Sequence, residues 1–132
     1  MNLSDHFTLE ELTKTEHRQY AAMNADPPES VIENLHVLAE FLEQIRELLG
    51  HPITINSGYR CLPLNRALGS KDTSQHLTGE AADFTCPGFG SPREIVEKIR
   101  DSGIKFDQCI LEYGRWVHIS FSPRMRQAIL TI

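Results

Sequence analysis

The sequence is short of several things, and each shortage excludes a class of protein. No apolar run approaches the ~20 residues that a membrane-spanning helix needs, so a membrane span is not expected. Cysteine is scarce and odd in number. Cys61, Cys86 and Cys109 stand far apart, which excludes a disulfide framework and a Cys-x-x-Cys metal pair. They read as small buried apolar residues. Cys86 follows Asp83 closely, but a side chain there points away from a site as readily as into it. There is no Lys/Arg run, and the net charge is −5, which argues against a protein that tracks nucleic-acid phosphates. Internal repeats, low-complexity tracts and linkers are absent. The stretch Met1 to Phe7 lacks the basic and apolar regions of a signal peptide, so synthesis in the cytoplasm without one is expected.

What is present fits an ordinary globular chain. With 132 residues, 40% of them hydrophobic and 23% charged, it can bury a real core, and residues 1–132 are expected to form a single domain. Nothing in the sequence sets an oligomeric state; a monomer is the expectation.

The apolar pattern divides the chain into elements. Thr8-Leu9-Glu10-Glu11 has the spacing of a capping box and should open a short helix. Asn24 to Glu29, with Pro27-Pro28, reads as a loop, and Ser30 as the cap of the next helix. From Val31 to Leu49 the residues Ile32, Leu35, Leu38, Ala39, Leu42, Ile45, Leu48 and Leu49 recur with a helical period, and Gly50 supplies the stop. Pro52 to Asn56 and Ala81 to Thr85 read as strands, with Cys61 to Thr73 irregular between them. Ser91-Pro92-Arg93-Glu94 starts a helix that ends before Gly103. Gln108 to Glu112 and Trp116 to Phe121 form a hairpin around Gly114. Ser122-Pro123 is expected to begin a last short helix. Helices early and strands late indicate an α+β class: a small, mainly antiparallel sheet with helices packed on one side.

Two distant segments carry chemistry. Ser74-Gln75-His76-Leu77-Thr78-Gly79-Glu80-Ala81-Ala82-Asp83 and Trp116-Val117-His118 together offer two imidazoles and a carboxylate. If they converge, that set can hold zinc and leave a fourth position open for water. Strand parity places His118 where it could serve a site on the sheet face, while the His76-x6-Asp83 spacing alone is weak evidence. Val117, Ile119 and Phe121 share one side, the core; Trp116, His118 and Ser120 share the other. Asp83 lies among small residues, where a buried carboxylate would need a partner, and a cation meets that need. Gly79 and Ala81-Ala82 allow close backbone approach. The plain alternative for His118 is a half-buried, satisfied histidine. His6, His17, His36 and His51 are read as surface or helix residues.

Ser57-Gly58-Tyr59-Arg60, then Ser74-x-His76-x-x-Gly79-x-Ala81-x-Asp83, then Trp116-Val117-His118 resembles the M15 family of zinc peptidases. That group holds D-Ala-D-Ala carboxypeptidases and phage L-alanyl-D-glutamate endopeptidases. Phe7-Thr8-Leu9-Glu10-Glu11-Leu12 and Phe106-Asp107-Gln108 are similar to its short, phage-associated branch. The resemblance implies zinc held by His76, Asp83 and His118, and a peptidoglycan stem peptide as substrate. It suggests that Arg60 faces the metal and stabilises an oxyanion, and that Ser74 and Trp116 contact substrate. Carboxypeptidase and endopeptidase action use the same chemistry and are not separated by the motif. Lack of a signal peptide fits a phage-type lysin that acts on the cell wall after release through membrane pores.

One departure stands out. Much of the family carries an acidic general base three residues before the last histidine, where this chain has Arg115, which cannot act as a base. The nearest acid is Glu112. A three-residue loop, Tyr113 to Arg115, pairs Glu112 with Trp116 and sets Glu112 diagonal to His118, roughly 7 Å away between backbones. A long carboxylate reaches the site from there, so Glu112 is the expected base. The alternative is a zinc-bearing binding or structural module that has lost catalysis. The plain roles also stand beside the sharp ones: a surface salt bridge for Arg60, a solvated hairpin end for Glu112, a local turn for Ser74.

Overall fold

A computed structural model describes all residues, 1–132. Helix α1, Leu9–Thr13, starts where expected: the Thr8 hydroxyl accepts the backbone N–H of Glu11 at 3.1 Å. A 3-10 turn, Arg18–Tyr20, and helix α2, Ala21–Asn24, follow. Asn24 therefore closes a helix instead of opening a loop.

Helix α3 spans Glu29–Leu49. Its start corrects the sequence reading, because Ser30 does not cap it. Pro28 stands at the cap, held extended, and its carbonyl accepts the N–H groups of Val31 and Ile32. Ser30 lies inside the first turn. Leu35, Leu38, Ala39, Leu42 and Ile45 are buried as the period requires, and Val31 and Phe41 widen the stripe. Each large side chain buried here contributes roughly 1.5–3 kcal/mol. Gly50 ends the helix in the left-handed conformation, φ 69°. No helix is long and apolar enough to cross a membrane.

Strand β1 is Thr54–Ser57, shifted from the expected span. Helix α4, Leu62–Ala67, lies in the stretch read as irregular. Cys61 precedes it with extended backbone, and Pro63 sits in its first turn, a position where the missing N–H costs nothing. Strand β2 is Ala81–Thr85. Helix α5, Pro92–Asp101, has the full capping box: Ser91 accepts from Glu94 N, and the Glu94 carboxylate accepts from Ser91 N.

Strands β3, Gln108–Glu112, and β4, Trp116–Ser120, form the hairpin. The chain after Ser122 corrects a second expectation: it makes a turn and then strand β5, Ala128–Thr131. No helix forms because Asp107 captures Arg126 through its backbone N–H and its guanidinium. The Asp107 carbonyl takes Ala128 N–H, which starts a β-branched, apolar edge strand beside β3.

The sheet order is β1-β2-β4-β3-β5, antiparallel except for the parallel pair β3/β5. Alternation divides its faces. Ala82, Phe84, Val117, Ile119, Cys109 and Leu111 join the buried core with α3 and α5, while Asp83 and His118 lie between them in register and face the other way. Phe121, just past β4, extends the core side by stacking on Phe41 at 4.7 Å.

Gly79 is where the motif loop meets α3. Its φ is +78°, and a Cβ there would lie 3.0 Å from both Cγ1 and the carbonyl oxygen of Val31. Gly79→Ala combines left-handed strain with overpacking and should cost roughly 2–4 kcal/mol. A urea unfolding midpoint equal to the parent's would contradict this account.

Candidate metal centre

The site is assembled from one cross-strand pair and two loops. Asp83 of β2 and His118 of β4 are direct partners in the sheet, so both side chains leave the same face. On the other side of β2, Ser57 pairs with Asp83 across a bulge between Ile55 and Ser57. In a regular strand Ile55 and Ser57 would share a face. The extra residue keeps Ile55 in the core and turns Ser57 toward the site.

The loop after β1 and the loop before β2 interlock. Arg60 N–H donates to the His76 carbonyl at 3.0 Å, and the His76 ring meets the Gly58 carbonyl through Nδ1 at 2.7 Å. Gly58 must be glycine for space: a Cβ would fall 2.4 Å from the Leu12 carbonyl oxygen. Ser74 Oγ accepts the His76 N–H at 3.3 Å, the local turn role, and the residue also lines the cleft.

His76, Asp83 and His118 are all buried, and one ligand atom from each lies within 4.8 Å of the others. The fold brings together the three residues that the sequence pattern singled out. Asp83 Oδ1 is 3.0 Å from His118 Nδ1 and 3.3 Å from His76 Nε2. Asp83 Oδ2 accepts from Arg60 Nη2 at 3.1 Å. Burial by itself would raise the Asp83 pKa; the hydrogen bond with His118 and the neighbouring His76 ring outweigh it and hold the carboxyl well below the usual range.

The donor chemistry fits a cation. A carbonyl only accepts, so His76 Nδ1 carries the proton shared with Gly58. In the neutral ring Nε2 is then a bare lone pair, and it faces a carboxylate oxygen at 3.3 Å. Two acceptors pointed at each other in a buried site call for a positive charge between them. Two imidazoles and one carboxylate, with the second imidazole nitrogen of His76 tied to a carbonyl, match the ligand types and outer support of a catalytic zinc.

Arg60 is more than a surface ion pair. Besides Asp83 it reaches Ser57 Oγ through Nε at 3.1 Å and Ser70 Oγ through Nη1 at 3.2 Å. Burial lowers its pKa, while Asp83 and Glu112 pull the other way. Glu112 pairs with Trp116 in the hairpin, as the three-residue loop requires. Its Oε2 accepts the Trp116 indole N–H at 3.0 Å, and its Oε1 lies 3.8 Å from His118 Nδ1. Arg60, Ser74, Glu112, Trp116 and the three candidate ligands all line one cleft of about 730 Å³. Arg115 is exposed and does not line it. Cys86 Sγ turns to the Pro52 carbonyl, away from the cluster, and burial pushes the Cys109 thiol up to about 12.

Two supports escaped the sequence reading. Asn24 is buried and straps the Arg60 segment, donating to the carbonyls of Thr13 and Tyr59 and accepting Cys61 N–H. Asp107, fully buried, accepts from Gln75 Nε2 at 2.7 Å and Ser122 Oγ at 2.8 Å as well as from Arg126. Gln75 precedes His76, so this node ties the motif loop to β3 and β5. Only the position of Asp107 within the Phe106-Asp107-Gln108 motif marked it in the sequence.

The family model described as Peptidase M15 matches residues 5–120. No curated relative matches the chain.

Arg126 above all, then Gln75 and Ser122, hold the Asp107 carboxyl well below its usual range against the opposing effect of burial. Its folded pKa thus lies below its unfolded one. The stability it contributes is complete above the ordinary carboxylate range, near about pH 4, and drains away as pH falls below it. Asp107→Asn should lower Tm at neutral pH by on the order of 5 °C, with the gap from the parent closing toward pH 2. A gap that stays constant across that range contradicts the assignment.

Proposed function

The chain belongs to the peptidase M15 family, and from that footing we propose that it is a zinc-dependent hydrolase of peptide bonds in peptidoglycan stem peptides, by carboxypeptidase or endopeptidase action at the cell wall. The observation that carries the proposal is the meeting of His76, Asp83 and His118 with Glu112 and Arg60 in one cleft. His76, Asp83 and His118 would hold the metal. When bound, zinc supplies Lewis acidity, which polarises a carbonyl and lowers the pKa of a water to about 7.

The chain's own residues do the rest. Glu112 is anchored through Oε2 by Trp116, which leaves Oε1 on the site side. That oxygen takes a proton from the attacking water and delivers it to the leaving amine. Trp116 thereby sets the orientation of the base in addition to contacting substrate. Arg60 has five N–H donors, and the three hydrogen bonds to Ser57, Ser70 and Asp83 leave two free. Those two serve the oxyanion that develops on the scissile carbonyl. The bond to Asp83 Oδ2 also keeps Oδ1 turned to the imidazoles. Ser74 offers a hydroxyl to the peptide backbone.

Arg115 in place of the family's acid favours a second reading, an inert zinc-bearing module. Elemental analysis combined with digestion of purified peptidoglycan and mass spectrometry of the fragments separates the two. One zinc per chain and released stem-peptide fragments are expected. His118→Ala should lose the metal, and Glu112→Gln should keep it while hydrolysis falls by roughly a hundredfold or more. Full zinc occupancy in the first variant, or normal cutting by the second, would sink these assignments. Absence of any fragments with zinc bound favours the inert module.

Arg60→Lys keeps the charge but loses the planar fork. Turnover should drop on the order of a hundredfold, the usual effect of losing an oxyanion donor. Parent-like turnover in this variant would return Arg60 to a purely structural role.

A further inference from the structure

The hairpin beside Glu112 turns through an unusual residue. Arg115 N–H donates to the Glu112 carbonyl, and the two residues between, Tyr113 and Gly114, have φ of 56° and 67°. Such a turn favours Asn-Gly or Asp-Gly, because both central residues are left-handed. A bulky aromatic in the first position is strained. Tyr113 is nevertheless 66% exposed, so no core packing compensates the strain.

Its surroundings indicate what does. Tyr113, Leu68, Trp116 and Ile132 all line the cleft that holds the candidate metal ligands. Leu68 and Ile132 are 42% and 59% exposed. The Tyr113 N–H bonds the Ile132 carbonyl at 2.9 Å, which joins the hairpin tip to the end of the chain. The Tyr113 ring meets Trp116 edge to face, with centroids 5.6 Å apart and planes at 63°. A charged floor under an exposed apolar rim is the anatomy of a binding cleft. Rings at that angle do not make the flat platform that a sugar would stack on. Together with Leu68 and Ile132 they give this cleft an apolar lining, which suits a small alkyl group.

We infer that Tyr113 is a specificity-determining residue, packing on an alkyl side chain of the substrate next to the bond that is cut. This rests on the peptidase reading above. A strained turn residue is then kept for its contact with substrate.

The test uses synthetic stem pentapeptides in which each alanine in turn is replaced by glycine. One methyl group in an apolar pocket is worth about tenfold or more in kcat/KM, so the parent should prefer alanine by that factor at one position. Tyr113→Asn preserves the turn chemistry and should bring the ratio close to one, through KM with kcat little changed. Tyr113→Phe should keep the preference. Trp116 is the chain's one tryptophan, and its fluorescence gives the affinities of the same peptides without turnover. An alanine-to-glycine ratio unchanged in Tyr113→Asn, or an effect seen only when the peptide carries its sugar, overturns the inference. A parent that binds but never cuts sinks the peptidase reading instead, while the affinity ratio still decides the role of Tyr113.

Discussion

Asp83 is a carboxylate taken almost wholly out of water, and the rest of the site answers to that fact. Leaving it unpaired would cost several kcal/mol, so each of its oxygens is engaged. Arg60 takes Oδ2, and Oδ1 is left to two imidazoles. One of those imidazoles, His76, already donates its N–H to the Gly58 carbonyl. The remaining lone pairs converge on a space where a positive charge is favoured. An arrangement of this kind is one that could hold a cation.

Holding that geometry requires more than the ligands. Asp83 and His118 are fixed to each other by strand register, the most rigid link available. His76 comes from a loop, which has no such rigidity of its own. Its restraint is distributed: the exchange of hydrogen bonds with Gly58 and Arg60 on one side, and the Gln75 contact to buried Asp107 on the other. Asp107 in turn organises the chain after β4 through Ser122 and Arg126, and β5 follows from that. The edge strand and the His76 loop therefore share one anchor. A change at β5 can reach the site without touching a ligand, by way of this carboxylate.

The hairpin does a second job. Its three-residue loop places Glu112 diagonal to His118, and the Trp116 indole then takes one carboxylate oxygen. A glutamate near the mouth of a cleft would otherwise be free to swing into solvent. The indole converts a position allowed by register into a held orientation.

Local and periodic features were determined by the sequence by itself. The apolar stripe of α3, the Ser91 capping box, the stop at Gly50 and the parity of β4 follow from steric and hydrogen-bonding rules that act within a few residues. The candidate ligand set was legible through the likeness of its motifs to a known family, and the parity of β4 put His118 on the polar face of the sheet. Tertiary structure alone decided what depends on distant partners. Ser122-Pro123 carries a helix-start signal, but capture of Arg126 by Asp107 and pairing with β3 override it. Helix α4 begins just after Cys61, whose backbone N–H is held by Asn24, 37 residues earlier. Ser30 could cap a helix, but Pro28 stops the chain from needing it. The fork of Arg60 and the orientation of Glu112 were likewise open until Ser57, Ser70, Asp83 and Trp116 arrived from other elements. A side chain's direction is set by the groups that surround it, and those groups meet only when the chain has folded.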